Sequence, residues 1–244
     1  MPNPQAEFER ELEVFRHEAE SAIQFFYAWR AVNEVASNNK EVVAILNKAP
    51  LFWNTSLGAL QASAFIALGQ VFDQRPNTHN IDRLLRIGQQ NPDIFSLKAL
   101  AERKRVASST ADEWPDEYLR DAYVPIPNDF RRLRKYVAAR RKIYEASFGP
   151  IRHKVFAHKQ LSTQVDTEAL SANAKIRDIQ RLLIFLRRLH EALWQLFFNG
   201  RKPILRPAPY SVSRMLAQPR PNGYSLQERL TRETEAFLKL IARQ

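Results

Sequence analysis

No cysteine occurs in these 244 residues. That excludes a disulfide framework, a thiolate metal site and a cysteine nucleophile, and it fits a cytoplasmic location. Glycine is scarce too: 6 residues, about a third of what average usage would supply. Neither G-x-G-x-x-G nor G-x-x-x-x-G-K-[ST] is present, which speaks against glycine-cradled dinucleotide or nucleoside triphosphate sites. H-E-x-x-H and the EF-hand loop are missing as well, and His79 and Asp73, which flank a turn, have no third ligand at zinc-like spacing. No metal and no cofactor are expected.

Long hydrophobic runs are equally lacking. The most apolar stretch, Ser56 to Phe72, still carries Gln61, Ser63 and Gln70, short of the roughly 18 apolar residues of a membrane span. It reads as a buried helix, with no membrane partner. The opening MPNPQAEFERELEVF has neither a basic start nor an apolar signal core. No segment alternates apolar and polar residues at period two, so strands are not expected.

What is present is helical. With 45% hydrophobic and 26% charged residues the chain can bury a sizeable core. Phe8, Leu12, Phe15, Ala19, Ile23, Phe26 and Trp29 mark one long amphipathic helix from Ala6 to about Ala36. Pro50 and Asn54 interrupt the next run, after which Leu57, Leu60, Ala64, Ala67, Leu68 and Val71 describe a second long helix. Asn80 caps a short helix over 81–89, and Asp93 or Ser96 starts another through Arg105.

A proline-containing connection, 108–128, closes on an Asn128 cap. A third long helix follows with Phe130, Leu133, Val137, Ile143 and Tyr144 inward, bent or briefly broken at Gly149-Pro150 and resumed to His158. The fourth carries Ile176, Ile179, Leu183, Leu186, His190, Leu193 and Phe197 and stops at Asn199-Gly200. His190, on its apolar face, reads as a packed core histidine, and the tryptophans and phenylalanines read as core rather than base-stacking groups.

Five of the 14 prolines fall between Arg201 and Tyr224, an extended arm. The Ser225-x-x-Glu228 capping box then opens a last helix with Leu230, Phe237, Leu238 and Ile241 on its apolar side. The predicted fold is all-α, a bundle of four long antiparallel helices with short peripheral helices and a C-terminal arm plus helix. Residues 1–200 form the helical domain and 201–244 the arm and final helix.

Acidic residues are outnumbered 26 to 37 by Lys and Arg, a net charge of +11 that points to a polyanionic partner, nucleic acid first. The surplus is concentrated. Between Asp129 and Gln160 stand Arg131, Arg132, Arg134, Lys135, Arg140, Arg141, Lys142, Arg152, Lys154 and Lys159 against Asp129 and Glu145, ten minus two, or +8. Met1 to Glu20, by contrast, holds six Glu against Arg10 and Arg16. Arginine's planar fork suits phosphate oxygens better than a point charge does, so Arg131, Arg134, Lys135, Arg140, Arg141 and Lys142 are assigned to RNA binding.

Within this basic region the chain reads Ile151-Arg152-His153-Lys154-Val155-Phe156-Ala157-His158-Lys159. It resembles the R-x(4-6)-H motif of the HEPN superfamily, with a polar residue, here His153, directly after the arginine. Its wording and its place after a long basic helix look most like the HEPN domains of abortive-infection proteins, over roughly Glu7 to Asn199. Arg10 and His17 also satisfy the spacing, but Glu11 and further glutamates surround them and would repel a phosphate, so that copy is read as structural.

The resemblance implies a metal-independent endoribonuclease in a toxin or phage-defence role, in which the RNA's own 2′-OH attacks phosphorus and leaves a cyclic phosphate. It assigns His158 to acid–base work, Arg152 to the phosphate and His153 to orientation, with Lys154 and Lys159 adding positive potential. A regular helix would turn Arg152 and His158 about 120° apart, so a helix end or kink must let both line one groove. In the family that groove lies between two subunits, which implies a homodimer; a cognate antitoxin protein is a further expected partner. The alternative is a non-catalytic HEPN-type module that binds RNA, a nucleotide or a protein.

Overall fold

The computed structural model describes residues 3–107, 119–151, 175–205 and 225–242. Among them every regular element is a helix: α1 Pro4–Asn38, α2 Lys40–Lys48, α3 Pro50–Phe72, α4 Ile81–Gln90, a 3-10 turn Pro92–Phe95, α5 Leu97–Ala107, α6 Pro127–Ser147, the single turn α7 Gly149–Ile151, α8 Ile176–Asn199 and α9 Leu226–Ala242.

Local signals place the boundaries. The Asn3 side chain accepts from the Gln5 N–H at 3.0 Å and Pro4 takes the first helical position, where its missing N–H costs nothing. Asn39 ends α1 and caps α2 by accepting from the Glu41 and Val42 N–H groups. Pro50 opens α3 rather than interrupting it, and Asn54 lies exposed within that helix, against the sequence expectation of a break at both. Asn80 caps α4 through the Arg83 N–H at 2.8 Å, and Ser96 caps α5 through the Ala99 N–H.

The start of α6 is corrected. Asn128 falls inside the first turn, whose N–H groups lack intrahelical partners. Asp129 instead reaches back to accept from the Ile126 N–H at 3.0 Å and from the Tyr123 hydroxyl. At α9, Ser225 donates to Glu228 from both its N–H and its hydroxyl.

The four long helices are α1, α3, α6 and α8, of 35, 23, 21 and 24 residues. Residue pairs show that neighbours run antiparallel: Phe8 meets Phe197 and Phe15 meets His190 between α1 and α8, and Phe65 meets Phe148 while Phe72 meets Tyr144 between α3 and α6. Phe8, Phe95, Phe130 and Phe197 form an aromatic knot with ring centroids 5.0 to 6.1 Å apart, in the tilted and edge-on arrangements that rings prefer. Arg103 seals it, 4.1 Å above Phe197 and donating to the Phe197 and Ile94 carbonyls; burial pushes its pKa down to about 10.

Helix α9 packs along α1 and α2, where Leu238, Val32 and Val42 close a second apolar cluster with Trp53, Leu57 and Ile241. Phe237, expected on the apolar side, points outward, because its neighbour Leu238 occupies the inward position. Helix α3 is split likewise. Its residues 64 to 72 are mostly buried, whereas those from 51 to 62 are half-buried or exposed, so the predicted buried helix holds only for its C-terminal part.

Gly200 ends α8 with φ +57°, the structure's one left-handed residue among those described, and the following Arg201 N–H reaches the Gln195 carbonyl. A Cβ here would lie 2.8 Å from both Ala122 Cβ and Leu100 Cδ2. Gly200→Ala is therefore expected to lose about 2–4 kcal/mol in urea unfolding, from left-handed strain and overpacking together.

Candidate nucleic-acid interface

Helix α6 carries its charge on a defined side. At about 100° per residue, Arg131, Lys135 and Lys142 fall within about 40° of one another, opposite Phe130, Leu133, Val137 and Tyr144. All three are exposed, and they run along about 16 Å of helix. The acids in reach are already engaged or few: Asp129 accepts from Tyr123, Ile126 and Arg132.

The remaining bases flank this stripe. Arg132 donates to Asp129 and to the Pro203 carbonyl. Arg140 lies half-buried with its guanidinium 5.7 Å over the Phe185 ring of α8, and Arg134 is half-buried with a buried Nε. Arg141 departs from the sequence reading. It is only 9% exposed and donates to Asp82 of α4 at 2.6 Å, because its helical position turns it toward α4 rather than solvent. It ties two helices together, and a phosphate would have to displace Asp82 to reach it.

At its C-terminal end α6 is anchored in the core. Tyr144 stacks on Phe72 at 5.3 Å, Phe148 stacks on Phe65 at 5.7 Å, and Ile151 in the following turn is buried. The helix breaks at Phe148 and resumes over Gly149–Ile151. Arg152, His153, Lys154, His158 and Lys159 lie outside the described residues. What precedes Arg152 is thus a buried residue on a clamped helix end, with the exposed basic stripe along the helix before it.

One cluster was invisible to local pattern. The Glu11 carboxylate, 1% exposed, is bonded by His79 Nδ1 at 2.8 Å and Arg83 Nε at 2.9 Å, while Arg83 Nη2 also reaches Glu7. A buried carboxylate needs such partners, and these pin the 73–80 turn and α4 to α1. Arg10, of the second R-x6-H copy, lies 3.6 Å from the same carboxylate. The partners are 68 and 72 residues away from Glu11, beyond the reach of any sequence spacing. Among the described residues no group of three or more His, Asp or Glu could hold a metal ion.

His190, read as a core histidine, borders a cavity of about 180 Å³ between α1, α8 and α9 with Arg16, Glu20, Arg187 and Gln227. Burial lowers its pKa, Arg16 adds to the shift, and Glu20, Glu191 and Glu13 oppose it. A histidine held below its unfolded value takes up its proton in the unfolded chain first. Its share of stability is present above about pH 6.5 and is lost as pH falls from there toward the folded pKa. His190→Gln is expected to flatten that fall in urea melts run between about pH 7.5 and 5.

Compared with known proteins, the chain is matched over residues 5–218 by a family model, HEPN_AbiU2, described as AbiU2. No curated protein and no solved structure matches it. The matched span ends before α9, so the helix that closes the second cluster lies beyond it.

Proposed function

The chain belongs to the HEPN AbiU2 family, a HEPN-type group related to abortive infection, and from that premise we propose that it is a metal-independent endoribonuclease acting in toxicity or phage defence. The carrying observation is the exposed line of Arg131, Lys135 and Lys142 on a core-anchored helix that leads straight into Arg152. Those cations attract a polyanion and hold it along the helix. Among the described residues no carboxylate forms an ion pair with them, unlike on α1, where Arg16 is taken by Glu13 and Glu20.

The chemistry follows from the residue types. An imidazole near neutrality, His158, removes the 2′-OH proton as the oxygen attacks the adjacent phosphorus. The bond from phosphorus to the 5′-oxygen breaks, that oxygen takes the proton His158 had removed, and a 2′,3′-cyclic phosphate remains. Arg152 bears the extra negative charge of the phosphorane, His153 orients the groups, and Lys154 and Lys159 raise the local potential. No step requires a metal ion. Two copies of the chain would bring two such sets to one strand of RNA.

The test is to incubate the purified protein with mixed single-stranded RNA in EDTA and to analyse the new ends. EDTA-resistant fragments ending in cyclic phosphate support the reading. Binding that weakens with salt but yields no fragments leaves the non-catalytic module instead.

A further inference from the structure

Helix α6 holds three aromatic residues, and two of them, Phe130 and Tyr144, are buried in the core. The third, Tyr136, is 42% exposed. Among the described residues it makes no hydrogen bond and no ring contact. A single exposed tyrosine is ordinary on a protein surface; its neighbours make this one informative.

Arg132 and Arg140 stand one helical turn before and after Tyr136, on the same side of α6 to within about 40°. The Arg140 guanidinium lies 5.7 Å over Phe185, its Nε is buried without a hydrogen-bond partner, and among the described residues it forms no ion pair. Around the helix from Tyr136 run the exposed cations Arg131, Lys135 and Lys142. Lys135 is offset from the ring by about 100°, or roughly 8 Å across the helix surface. Ala139, exposed, falls between the two, and its methyl group leaves that space open.

We infer that Tyr136 is a stacking platform for an unpaired base of RNA, in a strand whose phosphates follow Arg131, Lys135 and Lys142. The inference rests on the RNA reading above and narrows its substrate to single strands. The cations alone cannot make that choice, because they attract the backbone of a duplex as well as that of a single strand. The ring can. It needs a base with an open face, which an unpaired nucleotide offers and a base stacked within a duplex does not. Stacking on a ring is also tolerant of base identity, since every base has a π-face. The phenol keeps its hydroxyl in water while the ring takes the base, and the arginines on either side add positive charge at the edge of the stack.

The experiment uses the full chain with Tyr136→Ala and Tyr136→Phe, both at an exposed position, with circular dichroism as the check on folding. The probe is a fluorescent 2′-O-methyl oligoadenylate, which 2′-OH attack cannot cleave, free or annealed to its complement. Tyr136→Ala is expected to bind the free strand about 5–20-fold more weakly than wild type, the lower part of what a stacked base contributes. Tyr136→Phe, which keeps the ring, is expected to stay within about two-fold. The salt dependence is expected to be unchanged in both, since no phosphate contact is lost, and so is affinity for the duplex.

Tyr136→Ala that binds the free strand like wild type overturns the inference. So does an equal loss for strand and duplex, which is not stacking, or a loss in Tyr136→Phe as large as in Tyr136→Ala, which points to the hydroxyl. A change in sedimenting mass with RNA binding intact assigns the ring to a protein contact and overturns it too. Cleavage of the unmodified strand is read alongside. Ring-dependent binding without cleavage leaves the platform standing and removes the nuclease; cleavage with ring-independent binding does the reverse.

Discussion

His158→Ala and Arg152→Ala are each expected to reduce EDTA-resistant RNA cleavage by about 10²–10⁴-fold, while RNA binding stays within a few-fold of wild type. The two losses have separate origins. Without the imidazole the 2′-oxygen must lose its proton to water as it attacks. Without the guanidinium the phosphorane's additional charge loses the cation that offsets it. In the proposed reading binding is spread over the exposed cations of α6, so losing one contact is expected to lower affinity only modestly.

The contrast is with Arg131, Lys135 and Lys142 changed together to Ala. That variant is expected to weaken binding several-fold and to make it less steeply dependent on salt, with the rate at saturating RNA preserved. Cleavage that survives both single substitutions would remove the assignment of the motif.

Phe148→Ala should have the largest effect on stability, about 3–5 kcal/mol in urea unfolding. The side chain is 1% exposed and stacked on Phe65, so truncation deletes most of a buried ring and leaves a cavity between α3 and the end of α6. Phe148→Leu keeps most of the volume and is expected to cost clearly less. The same substitution loosens the helix end from which Arg152 departs. Cleavage should therefore fall in Phe148→Ala even at temperatures where the protein stays folded, since small misplacements of a reacting group are costly. Unchanged activity in a folded Phe148→Ala would show that this clamp does not position the motif.

Helix boundaries were mostly legible because they are local. Asn80 and Ser96 act through N–H groups three residues away, and Gly200 ends α8 by a conformation that side-chain-bearing residues resist. The misplaced features turned on longer contacts or on near-equivalent neighbours. Asp129 outcompetes Asn128 because the carboxylate meets the Tyr123 hydroxyl as well as the Ile126 N–H. Phe237 and Leu238 are adjacent on one helix, and only the position of Val32 and Val42 decides which turns inward.

From its order of residues alone the chain determines an all-helical bundle, the concentration of positive charge on one helix and its continuation, and the Arg152–His158 spacing; periodicity, capping and net charge depend on near neighbours. Tertiary packing alone decided that Arg141 is spent on Asp82, that Glu11 is held by His79 and Arg83, and that half of an uncharged helix stays uncovered. Which side of a helix meets another helix is set by the whole core at once, and burial follows from that choice, not from the residue's own chemistry.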